Sequence, residues 1–467
     1  QPDVDRSGFG LLRHYVLFGR FEGRHPLSPA QRLDIPPLAE SDRPRLLLVL
    51  PSAERCDQVV MAWSIACALR SSHDVVVLFH RGGPLRSTFA AVCAGVIDMP
   101  HEAGLHRLDR VGVCQRLAER IGPQFAIVAG IESREYVRSL ACADIGALFL
   151  VDDFSRAVRP PGNACDFLPF AHRLVLPSAL IARSYRDEHP VLSQRRFDIV
   201  TPGIGDLPVG ALDEVAVRQW LRPPAHQDDF LVVGIGDVGL QQGTDLFVAV
   251  AAAAVATVAD GGRRLRFVWI GDGFRPEEVD AFSSLLADQI DRFGIGGHVA
   301  LIADLADYGE VFRQADAFAL TARMAALPLA AAAAVKAGVP VVCFDQASSL
   351  AELLDDPETG SGLVTPYLDV PAMAKALCTL AAQPAVHTAA TERQAAVREC
   401  FDMAAYAARL IGLGGEAARI AAAIKADRQT IIGAEDAFSP AVFTGTWPDD
   451  DYPQDPVQTY LLRGRVA

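Results

Sequence analysis

Two adjacent carboxylates, Asp152 and Asp153, are the side chains in this sequence best suited to acid–base chemistry. They come directly after the apolar run "ALFLV", which is typical of a buried strand, so we expect them at the carboxyl end of that strand. A carboxylate pair in such a place can act as a general base or accept a hydrogen bond from a ligand hydroxyl. The alternative is that both side chains cap a local turn and face solvent.

A glycine-rich stretch, "GIGDVGLQQG", is suited to phosphate binding instead. Gly234, Gly236 and Gly243 let a ligand approach the backbone. The helix that begins after them presents unpaired N–H groups and the positive end of its dipole. A second turn of this kind contains Gly271 and Asp272. The alternative is that these glycines only end strands, as glycines do in any doubly wound sheet.

Arg323 is the last charged residue before a segment without charge that extends to Lys336. Gly338, Pro340 and an apolar strand follow this segment. A helix, a turn and a strand in this order are typical of one side of a ligand-binding site, but here the polar side chains are missing. The alternative is a purely structural helix, because alanine is the best helix former. Arg323 either binds a phosphate or pairs with a neighbouring carboxylate, and we expect the second.

The whole chain is acidic, with a formal net charge of −14 over 467 residues. This charge argues against nucleic acid or an anionic membrane surface as the main partner. The nine cysteines are scattered without a CxxC pair, which indicates buried thiols in a reducing compartment and no zinc site. The sequence has no signal-peptide pattern, and its longest apolar run, from Leu246, is too short to span a bilayer. We therefore expect a cytoplasmic protein without a transmembrane segment.

Apolar strands and helices alternate along most of the chain and must position the residues above. A polar stretch at 221–229 interrupts the alternation, which restarts at "FLVVGIG" and continues to the helix "DVPAMAKALCTLAA". Continuous apolar strands between helices predict two parallel sheets, each covered on both faces. Such sheets bind ligands at the carboxyl ends of their strands, so the two domains should share a cleft. A long alanine-rich helical region, about 391–425, should follow.

The two ends of the chain contain a short repeat. The segment "HYVLFGRF" at 14–21 matches "TYLLRGRV" at 459–466, and "QPDV" at the start is similar to "WPDD" at 447–450. Either the match is due to chance, or the chain is one module of a tandem protein that begins and ends partway through a connector.

Five segments of the second domain resemble, in order and spacing, the donor domain of glycosyltransferase family four, of the GT-B fold. They are "VVGIGDVGLQQGTDLFVAVA", "FVWIGDGF", "FRQADAFALTARM", "LPLAAAAAVKAGVPVVCFD" and "GLVTPYLDVPAMAKAL". In the first domain, "LFLVDDFSRAVRP" and "RLVLPSALIARSY" are similar to acceptor-domain segments. The stretch "HYVLFGRFEGRHP" is similar to a connector of bacterial polysaccharide-assembly proteins. The resemblance covers roughly 10–430.

The resemblance implies an α/β protein of the GT-B fold, in which two Rossmann-like, doubly wound domains face a cleft and helices follow at the C-terminus. The expected divisions are an N-terminal connector motif at 1–40, an acceptor-side domain at 41–205, an interdomain linker at 206–226, a donor-side domain at 227–385, a C-terminal helical region at 386–430 and a C-terminal connector at 431–467 that partly repeats 1–26.

The resemblance also implies a reaction. A nucleotide-diphosphate sugar bound by the second domain gives its sugar, with retention and without an obligatory metal, to a glycan acceptor bound by the first. Because the leaving diphosphate gains negative charge, the family places two basic side chains just after the first donor-domain strand. Its E-x7-E motif adds two carboxylates beside the sugar and the nucleotide ribose.

In this sequence the matching positions are neutral. The basic pair falls on Gln241 and Gln242, and the two carboxylates fall on Ala325 and Ala333. A charged contact normally contributes roughly 1.5–3 kcal/mol, so losing four should lower the rate by many powers of ten. The donor cleft is also expected to include Met324, at another commonly acidic position, together with Leu327, Pro328 and Leu329.

The acceptor side departs from the family as well. Its first loop, usually glycine-containing, contains Glu54, Arg55 and Asp57, with Asp57 at the position where the family is expected to have glycine. Asp152 and Asp153 stand where the family has a His-Glu pair, and they are our candidates for catalytic residues. We expect no metal and no cofactor, and a nucleotide-diphosphate sugar bound weakly or not at all.

Two functions remain open. In the first, which we favour, the chain is a pseudo-glycosyltransferase, a scaffold or glycan-recognition module that works beside an active transferase module or partner. In the second, it is an active retaining glycosyltransferase with an atypical donor site built from backbone amides, Arg323 and the two aspartates. In either case we expect a cytoplasmic location, with any attachment to the inner membrane made through partners.

Overall fold

The computed structural model describes residues 27–100, 107–159, 167–205, 214–258, 263–278, 280–305, 308–355 and 363–435. The terminal repeat lies outside these ranges. Within them, no helix combines the length and the apolar character needed to cross a membrane.

Seven parallel strands form the first sheet, in the order β3-β2-β1-β4-β5-β6-β7. They are β1 (Arg45–Leu50), β2 (Asp74–Phe79), β3 (Gly95–Asp98), β4 (Phe125–Ala129), β5 (Ala147–Leu150), β6 (Arg173–Leu176) and β7 (Asp198–Ile199). The helices of this domain are α1 (Pro29–Arg32), α2 (Asp57–Leu69), α3 (Arg86–Ala90), α4 (Arg107–Ile121), α5 (Glu135–Cys142) and α6 (Ala179–Glu188). Two buried apolar clusters lie on opposite faces of the sheet.

Six parallel strands form the second sheet, in the order β10-β9-β8-β11-β12-β13. They are β8 (Phe230–Ile235), β9 (Leu265–Ile270), β10 (Val299–Ile302), β11 (Ala317–Leu320), β12 (Val341–Phe344) and β13 (Val364–Thr365). Its helices are α7 (Glu214–Leu221), α8 (Thr244–Thr257), α9 (Ala281–Phe293), α10 (Gly309–Gln314), α11 (Leu329–Ala337), α12 (Ser349–Leu354) and α13 (Val370–Ala382). Apolar clusters again cover both faces, which confirms the expected pair of doubly wound sheets.

Several short elements differ from the predicted pattern. The sequence predicts a helix through Gly95, but α3 ends at Ala90 and β3 follows as a four-residue edge strand. The strand β13 and the helices α7 and α12 are also additions, and each is too short for a clear apolar period. α7 forms because Val217 and Leu221 are buried against the second domain. The helical region expected at about 391–425 is two helices, α14 (Pro384–Glu399) and α15 (Met403–Glu435).

The long helix α15 returns to the first domain and packs beside its sheet. Gly414 lies against the ring of Phe125, where a Cβ atom would come within 2.1 Å of Cε2. Further along, Lys425 lies 3.5 Å from Asp144, and Arg428 forms an ion pair with the same carboxylate. The first domain therefore takes its last helix from the C-terminal part of the chain.

The chain passes between the domains at two places that touch each other. A Cβ atom on Gly203 would lie 2.4 Å from the Cα atom of Met403, so the two backbones are in direct contact. Beside them, the Ile204 N–H donates to the Phe401 carbonyl at 3.0 Å.

Candidate functional site

A cavity of about 350 Å³ lies between the two domains, at the carboxyl ends of both sheets. The sequence predicts many of the residues that line it. They are Arg55, Asp57, Asp152, Asp153, Gly236, Gln241, Gln242, Gly271, Met324, Ala325, Leu327, Pro328, Leu329 and Ala333. The other candidates, Glu54, Gly234, Gly243, Asp272 and Arg323, are not part of this lining.

Three of the glycines are needed for packing. A Cβ atom on Gly234 would lie 2.6 Å from the Trp269 ring, and one on Gly271 would lie 1.9 Å from the Gly236 carbonyl oxygen. Gly243 begins helix α8 with a φ of 73°, and a Cβ there would meet the Thr321 carbonyl oxygen at 2.0 Å. These close approaches explain the glycine pattern without a ligand.

Arg323 is turned away from the cavity and onto helix α8. Its guanidinium donates to both carboxylate oxygens of Asp245, at 2.9 and 2.8 Å, and to the Leu240 carbonyl at 2.6 Å. The hydrogen bond to Asp245 raises the pKa of Arg323. The expected pairing of Arg323 with a neighbouring carboxylate is therefore present. It occupies the guanidinium that an active transferase with an atypical donor site would use to bind a phosphate.

The neutral donor positions all line the cavity from the second domain. Gln241 donates from Nε2 to the Met324 carbonyl at 3.4 Å, and Gln242 lies beside Gly236. The Ala325 N–H donates to the Ala347 carbonyl at 2.8 Å, so this amide is engaged within its own domain. Helix α11 begins after Pro328 without a side-chain cap. On this side of the cavity, the groups that can contact a ligand are therefore the start of α11, the glutamine side-chain amides and the alanine methyl groups.

Asp152 and Asp153 follow β5, and each holds its local backbone. Oδ1 of Asp152 accepts from the Ile131 N–H at 2.9 Å, and Oδ1 of Asp153 accepts from the Phe154 N–H at 2.8 Å. The second oxygen of Asp152, Oδ2, is out of contact with solvent and has no hydrogen-bond partner among the described residues. Burial raises the pKa of Asp152 to about 7. The hydrogen bond from the Ile131 N–H lowers this pKa, whereas the charge of Asp153 raises it further. Burial also raises the pKa of Asp153.

The acceptor-side loop meets the second domain through Arg55. Its guanidinium lies 3.8 Å from Asp304, 3.5 Å from the Leu305 carbonyl and 5.8 Å above the Tyr308 ring. The Tyr308 hydroxyl donates to Asp304 at 2.6 Å. Glu54 is exposed on the same loop, outside the cavity.

Asp57 adds a negative charge opposite the second domain. Asp57 is exposed to the cavity, and its enclosure between the two domains raises its pKa to about 6; the charges of Asp237 and Asp304 add to this shift. The nearby Leu329 N–H and Arg55 act in the opposite direction. Sequence reasoning missed Asp237, Asp304 and Tyr308. Asp237 was visible inside the glycine-rich stretch, and Asp304 follows a predicted strand.

The charged lining of the cavity is mostly acidic. Among the described residues, its one cation is Arg55, and its carboxylates are Asp57, Asp152, Asp153, Asp237 and Asp304. No group of three or more metal-ligating side chains is arranged around a common point in the described ranges. Such a lining repels a diphosphate and offers acceptors to ligand hydroxyls or cationic groups.

Comparison with known proteins gives the class of fold. Residues 229–383 match the family model described as glycosyl transferases group 1. The Anabaena protein HepE, crystallised with UDP and glucose, aligns with a TM-score of 0.63 at 16% identity, over 79% of this chain and 98% of that one. A glycosyltransferase from Rickettsia africae aligns with a TM-score of 0.64 at 11% identity, over 81% and 99% of the two chains.

A third solved structure agrees with these two. Sucrose-phosphate synthase from Thermosynechococcus elongatus aligns with a TM-score of 0.60 at 16% identity, over 79% of this chain and 98% of that one. No curated protein matches the chain in sequence. The chain therefore has the GT-B fold that the resemblance implied, and its second domain matches the group 1 glycosyltransferases. At this coarse level, the comparisons support a glycosyltransferase.

Proposed function

We propose that this chain is a pseudo-glycosyltransferase of bacterial glycan assembly, acting as a scaffold or glycan-recognition module beside an active transferase. The observation that supports this is the charge of the cavity. A diphosphate needs cations or free amide donors, whereas the described lining has five carboxylates and one arginine that is engaged by Asp304. The family's four charged positions hold Gln241, Gln242, Ala325 and Ala333, none of which replaces the lost charge.

Calorimetric titration with UDP, GDP and their sugars tests this proposal. We expect no binding at micromolar ligand concentrations, because the lining repels the diphosphate. A dissociation constant in the micromolar range or below for a nucleotide sugar would contradict the proposal.

A charge-restoring variant gives the complementary test. The substitutions Gln241→Arg, Gln242→Lys, Ala325→Glu and Ala333→Glu should increase UDP-sugar affinity, by about tenfold for each restored phosphate contact of roughly 1.4 kcal/mol. The control carries Gln241→Glu and Gln242→Glu, which add charge of the opposite sign at the same places and should not increase affinity. Equal binding by both variants would show that these positions do not meet a diphosphate.

A second function, the active retaining transferase, has one observation in its favour. A carboxylic acid with a pKa near 7, as Asp152 has, is poised for proton transfer at neutral pH. Release of UDP from UDP-sugars in the presence of glycan acceptors, lost in Asp152→Asn, would support this function over the pseudo-enzyme. The engagement of Arg323 by Asp245 weighs against it.

A further inference from the structure

Residues 324–329, from the loop after β11 to the first residue of α11, extend from the second domain and pack into the first. Ala326 is 3% exposed and belongs to the buried cluster that contains Val128 and Val151 of the first domain. Met324 packs against the same cluster. These contacts lie on one face of the first sheet.

The same short segment also contacts the opposite face. Leu327 and Leu329 pack against the second apolar cluster of the first domain. Leu327 borders a small cavity of about 30 Å³ that is also lined by Met61, Leu150 and Tyr406. The segment therefore holds the carboxyl edge of the first sheet from both sides.

Polar contacts between the domains surround this apolar contact. Besides the Arg55–Asp304 pair, Arg183 lies 3.3 Å from Glu352, and the Lys336 ammonium donates to the Ile204 carbonyl at 2.7 Å. Solvent-exposed pairs of this kind contribute little. Burial of apolar surface contributes more, so the contacts of Ala326, Leu327 and Leu329 should outweigh the exposed polar pairs.

A repulsive interaction opposes the contact. Asp57 of the first domain lines the same cavity as Asp237 and Asp304 of the second. Both of these charges disfavour ionisation of Asp57, although the Leu329 N–H and Arg55 favour it. Like charges on the two walls of a cleft favour its opening. A closed cleft therefore needs an attractive contact that outweighs them.

We propose that residues 324–329, the clamp segment, hold the two domains closed in the absence of any ligand. The apolar side chains of the segment supply the attraction, and the facing carboxylates supply the opposing force. A ligand or partner enters the cleft only when the clamp segment leaves the first domain. This inference goes beyond the proposed function, because it applies equally to an active or an inactive cleft.

Hydrogen–deuterium exchange of the full chain tests the clamp with the double variant Leu327→Ala/Leu329→Ala. Peptides that cover 55–61 and 324–330 should exchange about tenfold faster than in the unaltered protein, because the closed state loses the contacts of two partly buried leucine side chains. Peptides from the centres of both sheets should keep their protection. The control is Leu285→Ala on α9, where the side chain is 66% exposed and outside the cleft.

Small-angle X-ray scattering supplies a second measurement, with a larger radius of gyration expected for the double variant. If circular dichroism shows that the double variant is unfolded, the single variants Leu327→Ala and Leu329→Ala are measured in the same way. A folded variant with unchanged exchange and unchanged radius of gyration overturns the clamp. Neither measurement involves a nucleotide, so this result and the nucleotide-binding result can be told apart.

Discussion

Asp152 and Asp57 lie on the first-domain side of the cleft and are both held in unfavourable surroundings. One oxygen of Asp152 is buried without a hydrogen-bond partner among the described residues, and Asp57 faces two carboxylates of the other domain. A surplus of unpaired negative charge in a cleft costs stability at neutral pH. At the scale of single residues, the site is therefore strained by charge rather than by backbone geometry.

The substitution Asp152→Asn should stabilise the protein above neutral pH. The folded state raises the pKa of Asp152 to about 7, so it binds more protons than the unfolded chain between about pH 4 and pH 7, and stability falls as the pH rises through this window. Removing the carboxylate removes that loss. Urea denaturation should give a gain of about 1–2 kcal/mol at pH 8.5 that disappears near pH 4.

The matched control is Asp42→Asn, an exposed carboxylate at the opposite edge of the sheet. It should leave stability unchanged at both pH values. A loss of stability in Asp152→Asn at pH 8.5 would show that the ionised carboxylate is needed by the fold.

The sequence pattern placed the two aspartates at the end of a strand, and the family resemblance assigned the four neutral positions; all six residues line the cavity. It did not associate Arg55 with Asp304 and Tyr308, since these residues come from different domains and meet only through interdomain packing. The apolar role of Leu327 and Leu329 was missed for the same reason. Their local pattern belongs to a helix start, and their partners lie in the first domain.

At the scale of whole elements, α15 is the clearest case of a helix defined by its neighbours. Its alanine-rich sequence predicts a helix, but its position depends on small residues that let it approach the first sheet. Gly414 meets the Phe125 ring, whereas the next residue, Gly415, has no atom within 4 Å of a Cβ position. Two adjacent glycines in one helix thus have different roles.

The short elements β3 and α7 were not predictable, because their formation depends on burial against the rest of the domain and not on a periodic apolar pattern.

The pair Gly414→Ala and Gly415→Ala should therefore change stability in opposite directions. The first places a methyl group inside the Phe125 ring contact and should cost about 1–3 kcal/mol. The second adds a better helix former in open space and should gain about 0.5–1 kcal/mol. Denaturant unfolding of both variants checks this, and equal effects would show that α15 is not packed on β4 as described.

At the scale of the whole molecule, the proposed clamp couples domain closure to ligand affinity. A ligand that binds only the open state loses affinity in proportion to the closed fraction. The two proposals therefore describe separate obstacles to nucleotide binding: the clamp is conformational, and the neutral donor positions are chemical.

Combining the two sets of substitutions measures this coupling. The four charge-restoring substitutions should give tighter UDP-sugar binding with Leu327→Ala/Leu329→Ala than without them, because the clamp no longer competes. Calorimetry of the two proteins gives the difference directly. The double leucine variant without restored charges is the control and should still bind no nucleotide. Equal affinity in both backgrounds would mean that closure does not limit access.

The contact between Gly203 and Met403 also restricts how the molecule can move. Two chain crossings that lie side by side leave the domains free to turn about the line through that contact, while sliding or separation would break both crossings. In such a hinge rotation, the residues farthest from the axis are displaced most for a given angle. Gly203 and Ile204 lie at the crossing and also line the cavity, so we expect this part of the lining to change least when the domains turn.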